Sequence, residues 1–361
     1  LKCLQGELKA ELLQAHSGLI ANFERDLAAL AEKRRVEAAW SLTEHYVQAN
    51  EWESMKRLLL HKDQAVQVEV LRTLEELAQE RLVLLIPLLE KLCNEGSKPV
   101  NTLAAKVLCR QYVRCDSFNR IAALVTGKSD ETNGAALHGL RMEKLSRAQV
   151  AKLLPILTQC LCSSLDKTMS VARMVMKGLF ERQLVNKYFL ATIHELLRHK
   201  SDGIRSQAAA LLGDWLTYEK KLSPDIGAIA ALLCQRSTQS AAFYALRVAI
   251  NKGFSIEPAF GAIAKAIMTK ECRGMSDALW AIQSAVHENK DISPIIEALG
   301  VLAGGKKYRQ RAVSLLRKAA DNGICINNAE RGLKKAVKDD SAFIRQEARA
   351  ALNSGRKRKN E

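Results

Sequence analysis

The chain is poor in what an all-β protein requires. Six prolines and 5% aromatic residues in 361 leave too few turn formers and too few strand formers. Nine cysteines occur, Cys3, Cys93, Cys109, Cys115, Cys160, Cys162, Cys234, Cys272 and Cys325, but none form a C-x-x-C pair and the number is odd. That pattern argues against a zinc ribbon and against a disulfide framework. Most of these thiols sit in apolar stretches such as Leu108-Cys109 and Leu233-Cys234. They are expected to be small buried hydrophobes in a reducing compartment, read as cytoplasmic. No apolar run approaches the roughly 18–20 residues that span a bilayer, and no leader peptide is recognisable, so no membrane partner is expected. The chain starts at Leu1 rather than Met, which leaves an upstream segment open.

Signatures of catalysis are missing too. There is no G-x-S-x-G and no H-E-x-x-H, and the seven histidines do not recur in register. Gly304-Gly305-Lys306-Lys307 has part of a phosphate loop but lacks its first glycine, its Ser/Thr and a preceding strand, so it reads as a turn. The expectation is a protein without enzymatic activity, cofactor, metal or small-molecule substrate.

What the sequence does contain is a beat. A small residue is followed four places later by a large aliphatic one ten times, at Ala38, Val70, Ala104, Ala136, Val175, Ala208, Ala242, Ala278, Ala312 and Ala348. The partners are Leu42, Leu74, Leu108, Leu140, Leu179, Leu212, Leu246, Ile282, Leu316 and Leu352. A spacing of roughly 34 residues lies in the range of solenoids, whose units bury their apolar faces only by stacking on neighbours. The longest step, from Ala136 to Val175, places extra residues near 159–167.

One repeat is especially clear. Leu190, Ile193, Leu196 and Leu197 form one helical stripe, and His199-Lys200-Ser201-Asp202-Gly203 breaks the helix. Ile204, Ala208, Leu211, Leu212 and Trp215 then form a second stripe, so the unit is an αα-hairpin. The small column has a physical cause, since hairpins stack closely only where backbones meet small side chains with a large leucine alongside. The wording recurs at Asp340-Ser341-Ala342-Phe343-Ile344-Arg345 and at Gly305-Lys306-Lys307-Tyr308-Arg309, and Asp63, Asp130 and Asp166 mark equivalent turns.

An Asp turn followed by Ile/Val-Arg-x-x-Ala-x-x-Ala/Leu-Leu resembles the second helix of a HEAT repeat. The resemblance covers residues from about 30 to 353 and is weakest around Ala136 and Ala278, where the Arg is absent. Armadillo repeats are longer than this spacing, and the tetratricopeptide signature is missing. The expected architecture is all-α, a right-handed α-α superhelix of about ten hairpins: capping helices over 1–30, solenoid over 31–353 and a basic tail over 354–361.

Charge supplies the candidate surface. The net charge is +16, and residues 301–361 hold 16 Lys or Arg against 6 Asp or Glu, so +10 of it lies there. Second helices line the concave face in HEAT solenoids, so the resemblance implies a basic C-terminal groove made by Lys306, Lys307, Arg309, Arg311, Arg345 and Arg349. Arg205, Arg309 and Arg345 also have a structural reading, as partners of turn aspartates in adjacent repeats. The tail residues Arg356, Lys357, Arg358 and Lys359 suit a nuclear import signal or nucleic-acid contact as well as a soluble terminus.

The leading expectation is a scaffold that cradles a protein or peptide, with an acidic partner at the C-terminal end. The alternative is nucleic-acid binding through the basic groove and tail, with Tyr308 the one aromatic placed to assist and Phe343 packed at its turn. A remote alternative is a HEAT-like DNA glycosylase, for which Asp214 beside Trp215 is the suggestive pair among Trp40, Trp52, Trp215 and Trp280; Trp215 and Trp280 read mainly as core. A di-iron hydroxylase would need several His-Glu dipeptides in register, and only His194-Glu195 and His287-Glu288 occur.

Overall fold

A computed structural model describes residues 17–26, 32–77, 80–127, 129–141, 143–185, 189–218, 224–269 and 271–357. They form α-helices and short 3-10 turns without a strand. The first helices of successive hairpins are α1 (residues 17–26), α3 (Trp52–Leu59), α5 (Ile86–Glu95), α7 (Phe118–Thr126), α9 (Arg147–Leu161), α11 (Phe189–Leu197), α13 (Ile226–Leu232), α15 (Phe260–Met268), α17 (Ile296–Gly304) and α19 (Glu330–Ala336). The second helices are α2 (Glu32–Ala49), α4 (Gln64–Glu76), α6 (Lys98–Arg114), α8 (Asp130–Arg141), α10 (Asp166–Glu181), α12 (Asp202–Tyr218), α14 (Gln239–Asn251), α16 (Met275–His287), α18 (Arg309–Asp321) and α20 (Ala342–Lys357). Two compact units, Leu1–Val175 and Met176–Glu361, divide the chain within α10. The expected capping helix over residues 1–15 lies outside the described residues.

Each second helix carries one member of the small column, and all ten members are buried. Nine of the large partners are buried as well, and Leu352 is half-buried. The beat therefore fits a stacking code: its buried members lie on second helices that pack on one another, α6 on α8, α12 on α14 and α18 on α20. The extra length between Ala136 and Val175 goes mainly into α9, whose 15 residues exceed every other first helix. A capping box starts it, with the Ser146 hydroxyl accepting from Gln149 N–H at 3.2 Å and the Gln149 side chain accepting from Ser146 N–H at 3.0 Å.

Second helices also share a stop signal. Asn50, Asp116, Gln183, Gly253, Asn289 and Gly323 adopt positive φ one or two residues past the ends of α2, α6, α10, α14, α16 and α18. The next N–H then reaches back five residues, as from Ser117 to Tyr112 O at 2.8 Å and from Ile324 to Ala319 O at 2.9 Å. This is the Schellman closure, which satisfies orphan carbonyls and turns the chain sharply into the next hairpin.

The cysteines divide. Cys93, Cys109 and Cys160 are buried, and burial pushes the Cys160 thiol up to about 12. Cys115, Cys162, Cys234 and Cys325 are exposed near helix ends, so the apolar run at Leu233-Cys234 does not bury its thiol. No helix among the described residues is long and apolar enough to cross a membrane.

Candidate functional site

Arginines and acids of the hairpin turns are mostly used up by the fold. Arg35 on α2 meets Asp63, the N-cap of α4, at 2.5 Å, and Asp63 also accepts from Ala65 N–H at 2.9 Å. Asp130 at the start of α8 accepts from Thr168 N–H and hydroxyl at the start of α10, both at 2.7 Å. Arg205 pairs with Asp202 in its own turn and reaches Gln235 in the next. Arg309 donates through Nε to Ala303 O at 3.1 Å and Gly305 O at 2.7 Å, donates through Nη2 to Gly304 O at 3.3 Å, and pairs with Asp339 of the following turn. Arg345 donates to the carbonyls of Asp339 and Asp340, both at 2.8 Å, rather than to a carboxylate. Adjacent turns are thus joined by a polar ladder within each unit.

These partners hold turn carboxyls below their ordinary value. Backbone hydrogen bonding does most of this at Asp63 and Asp339, assisted by Arg35 and Arg309. At Asp130 burial opposes the shift, but the bonds from Thr168 and Lys167 outweigh it. A carboxyl lowered in the folded state contributes stability that is complete above the unfolded value of about 4 and lost as pH falls through the lowered one. Thermal melts followed by circular dichroism are expected to give a level Tm from pH 7 to about 5 and a falling Tm below about 4. A level Tm down to pH 3 would remove the ladder from the account of stability.

The six candidate cations are not brought into one groove. Lys306 and Lys307 lie exposed in the turn between α17 and α18, with Lys307 Nζ over the Tyr308 ring at 5.2 Å from its centroid. Arg309 and Arg345 are tied to carbonyls as described. Arg311 is half-buried and donates to Gln283 on α16 at 3.4 Å. Only Arg349 opens onto a substantial concavity. Of the tail, Arg356 and Lys357 continue the backbone of α20, while Arg358 and Lys359 lie outside the described residues. Phe343 does not pack at its turn but is 50% exposed.

The concavity at Arg349 encloses about 860 Å³ between α19 and α20. Val337 and Leu352 contribute its apolar lining, and Arg331, Lys334, Lys335, Lys338 and Arg349 surround it. Glu330, its acidic residue, pairs with Lys334 at 2.9 Å. Arg331, Lys335, Lys338 and Arg349 have no ion-pair partner among the described residues. Sequence reasoning missed four of these five cations because it placed the basic surface on second helices, whereas α19 is a first helix. The spacing of Arg331, Lys334, Lys335 and Lys338, at i, i+3, i+4 and i+7, was the available signal.

The enzymatic constellations weighed from sequence do not assemble among the described residues. Asp214 and Trp215 are each 3% exposed, and Asp214 accepts from the Tyr244 hydroxyl at 3.0 Å, so the pair belongs to the core and not to a groove. Trp280 is half-buried with the Arg247 guanidinium 5.9 Å from its ring, and Arg247 also meets Asp277 at 2.9 Å. Trp40 is exposed on α2. His194 Nε2 accepts from Asp225 N–H at 3.4 Å, and His287 contacts Lys318. Among the described residues no three His, Cys, Asp or Glu side chains are grouped to hold a metal ion.

Helical hairpins stacked through a small-residue column define the fold of a HEAT-type α-solenoid. Solved structures with that fold include Kap121p carrying several substitutions, with a TM-score of 0.59 at 13% identity over 96% of this chain and 41% of that one. Kap95p, whose binding induces the switch loops of RanGDP to adopt the GTP-bound conformation, gives 0.58 at 13% identity over 95% of this chain and 50% of that one. Kap121p bound to Pho4p gives 0.55 at 12% identity over 96% and 41%. The chain spans half or less of the length of these proteins, and likeness at such identity is likeness of fold. The sequence matches no protein-family profile and no curated protein.

Proposed function

We propose that this chain is a non-catalytic scaffold for a protein or peptide partner, with a preference for an acidic partner at its C-terminal end. The observation that carries this is the groove between α19 and α20, where an apolar floor of Val337 and Leu352 lies among Arg331, Lys335, Lys338 and Arg349, none of them in an ion pair among the described residues. Apolar anchoring and charge complementarity together suit a protein segment: the floor supplies affinity and the cations supply steering and orientation. The protein partners of the similar folds, Pho4p with Kap121p and RanGDP with Kap95p, support the reading. The free thiols suit a reducing compartment such as the cytoplasm.

An acidic amphipathic peptide with leucines on one face and glutamates on the other tests the groove by fluorescence anisotropy. Arg331→Glu, Lys335→Glu and Arg349→Glu combined are expected to weaken its binding at least tenfold while leaving the melting curve in place, since all three side chains are exposed. Undiminished binding by that variant would remove the groove. The nucleic-acid reading of the concave face is poorly tested through Arg309 or Arg345, because both hold turns together.

A further inference from the structure

A second cationic surface runs along the edge formed by the turns within hairpins of the unit Met176–Glu361. Every such turn from α11–α12 to α17–α18 presents an exposed Lys or Arg: Lys200, Arg236, Arg273, and the neighbours Lys306 and Lys307. The ladder acids along and just beyond these turns are engaged by turn donors, although Asp202 itself stays exposed. Asp202 is held by Arg205 and by the Ser237 hydroxyl at 2.6 Å, and Asp339 by Arg309. Glu271 offsets Arg236 through a pair exposed on both sides, the kind that contributes little and yields to a competing anion. Lys200, Arg273 and Lys306 have no side-chain partner among the described residues.

Anions could come to this edge from a protein or from nucleic acid, and its composition separates the two. Protein interfaces take most of their energy from buried apolar or aromatic anchors. Along the edge apolar exposure is isolated and forms no continuous floor: Met268 at the end of α15 is 49% exposed, Phe343 lies one turn beyond at 50%, and Tyr308 is half-buried with Lys307 over its ring. A uniformly charged phosphodiester backbone needs no floor, because counterion release supplies the affinity. Stacked helices stand about 10 Å apart, so three steps between four turns cover about 30 Å. That is close to one turn of a duplex, at roughly 34–36 Å.

We infer that this edge binds the phosphate backbone of duplex nucleic acid without reading its sequence. The surface differs from the concave groove expected from sequence, and from the α19–α20 groove of the proposed scaffold role, so either can fail alone. A random-sequence 20-base-pair DNA duplex, titrated by fluorescence anisotropy, is the probe. Five phosphate contacts give a slope of log affinity against log salt of about −4, a loss of two to three orders of magnitude between 50 and 200 mM. Replacing Lys200, Arg236, Arg273, Lys306 and Lys307 by Gln together is expected to bring the slope close to zero and to weaken binding at least 100-fold at 50 mM salt. Arg331→Gln with Lys334→Gln and Lys335→Gln, which leaves the edge intact, is expected to keep the slope. Binding that is absent, or equal in the edge variant, overturns the inference. So does displacement of the duplex by polyglutamate at equal charge concentration, which would assign the edge to acidic proteins.

Discussion

Arg309→Ala is expected to open the last two hairpins well before the rest of their unit. The guanidinium caps three carbonyls at the end of α17, those of Ala303, Gly304 and Gly305, and extends to Asp339 in the next turn. Charged hydrogen bonds of this sort contribute about 1.5–3 kcal/mol, and their removal leaves carbonyls of a half-buried helix end without partners. Because each hairpin is stabilised by its neighbours, the loss spreads through α17–α20 and not through the whole chain. Hydrogen exchange is the measurement: protection over residues 296–357 is expected to fall by about 2–3 kcal/mol while α12 and α14 keep theirs. Arg309→Lys restores the charge but not the fork that addresses several carbonyls, so it is expected to recover only part of the protection. Unchanged exchange in the alanine variant would mean that the ladder follows the stack and does not hold it.

Gly332→Ala is expected to have the largest effect of any single methyl group in the unit. A Cβ there would lie 1.8 Å from Gly300 O and 2.7 Å from Gly300 C, and both are backbone atoms that no side-chain rotation clears. The helices α17 and α19 must separate, at a cost of about 3 kcal/mol or more by the usual scale of overpacking. Gly300→Ala meets the same obstacle from the other side, 2.6 Å from the Cα of Ala329. Gly261→Ala in α15 is the control, since nothing lies within 4 Å of its Cβ, and helix propensity alone predicts a gain of about 0.5–1 kcal/mol. Urea unfolding of the three variants separates the outcomes. Equal midpoints for Gly332→Ala and Gly261→Ala would dismiss the close approach.

How much of this was legible depended on which residues carried the message. The Ala–Leu beat marked all ten second helices, because stacking demands a small residue at the same register in each. The Arg309 and Asp339 pairing was legible as a structural reading, although Arg345 turned to carbonyls instead of a carboxylate. Helix endings were also written in the sequence, as Asn, Asp, Gln or Gly at the positive-φ positions, but those four residue types share no single hydropathy signal. The six cations expected along one groove are not brought together for a physical reason. Charge counted along a sequence does not say which cations the fold has already engaged, and Arg309 was engaged while Lys335 was not.

The glycine contact between α17 and α19 has a consequence for curvature. A stack of hairpins bends when its two rows of helices advance by unequal steps, the more closely spaced row lying inside the bend. In the unit Met176–Glu361 the first helices α11, α13 and α15 touch one another sparsely, while α12, α14 and α16 pack closely. At α17 and α19 the first-helix row closes up until backbones meet, and α18 and α20 remain packed. Both rows are therefore in contact there, and the stack is expected to straighten locally beside the concavity between α19 and α20. If the proposed partner follows the curve of the preceding repeats, it is expected to meet a flatter seat at α19 and α20.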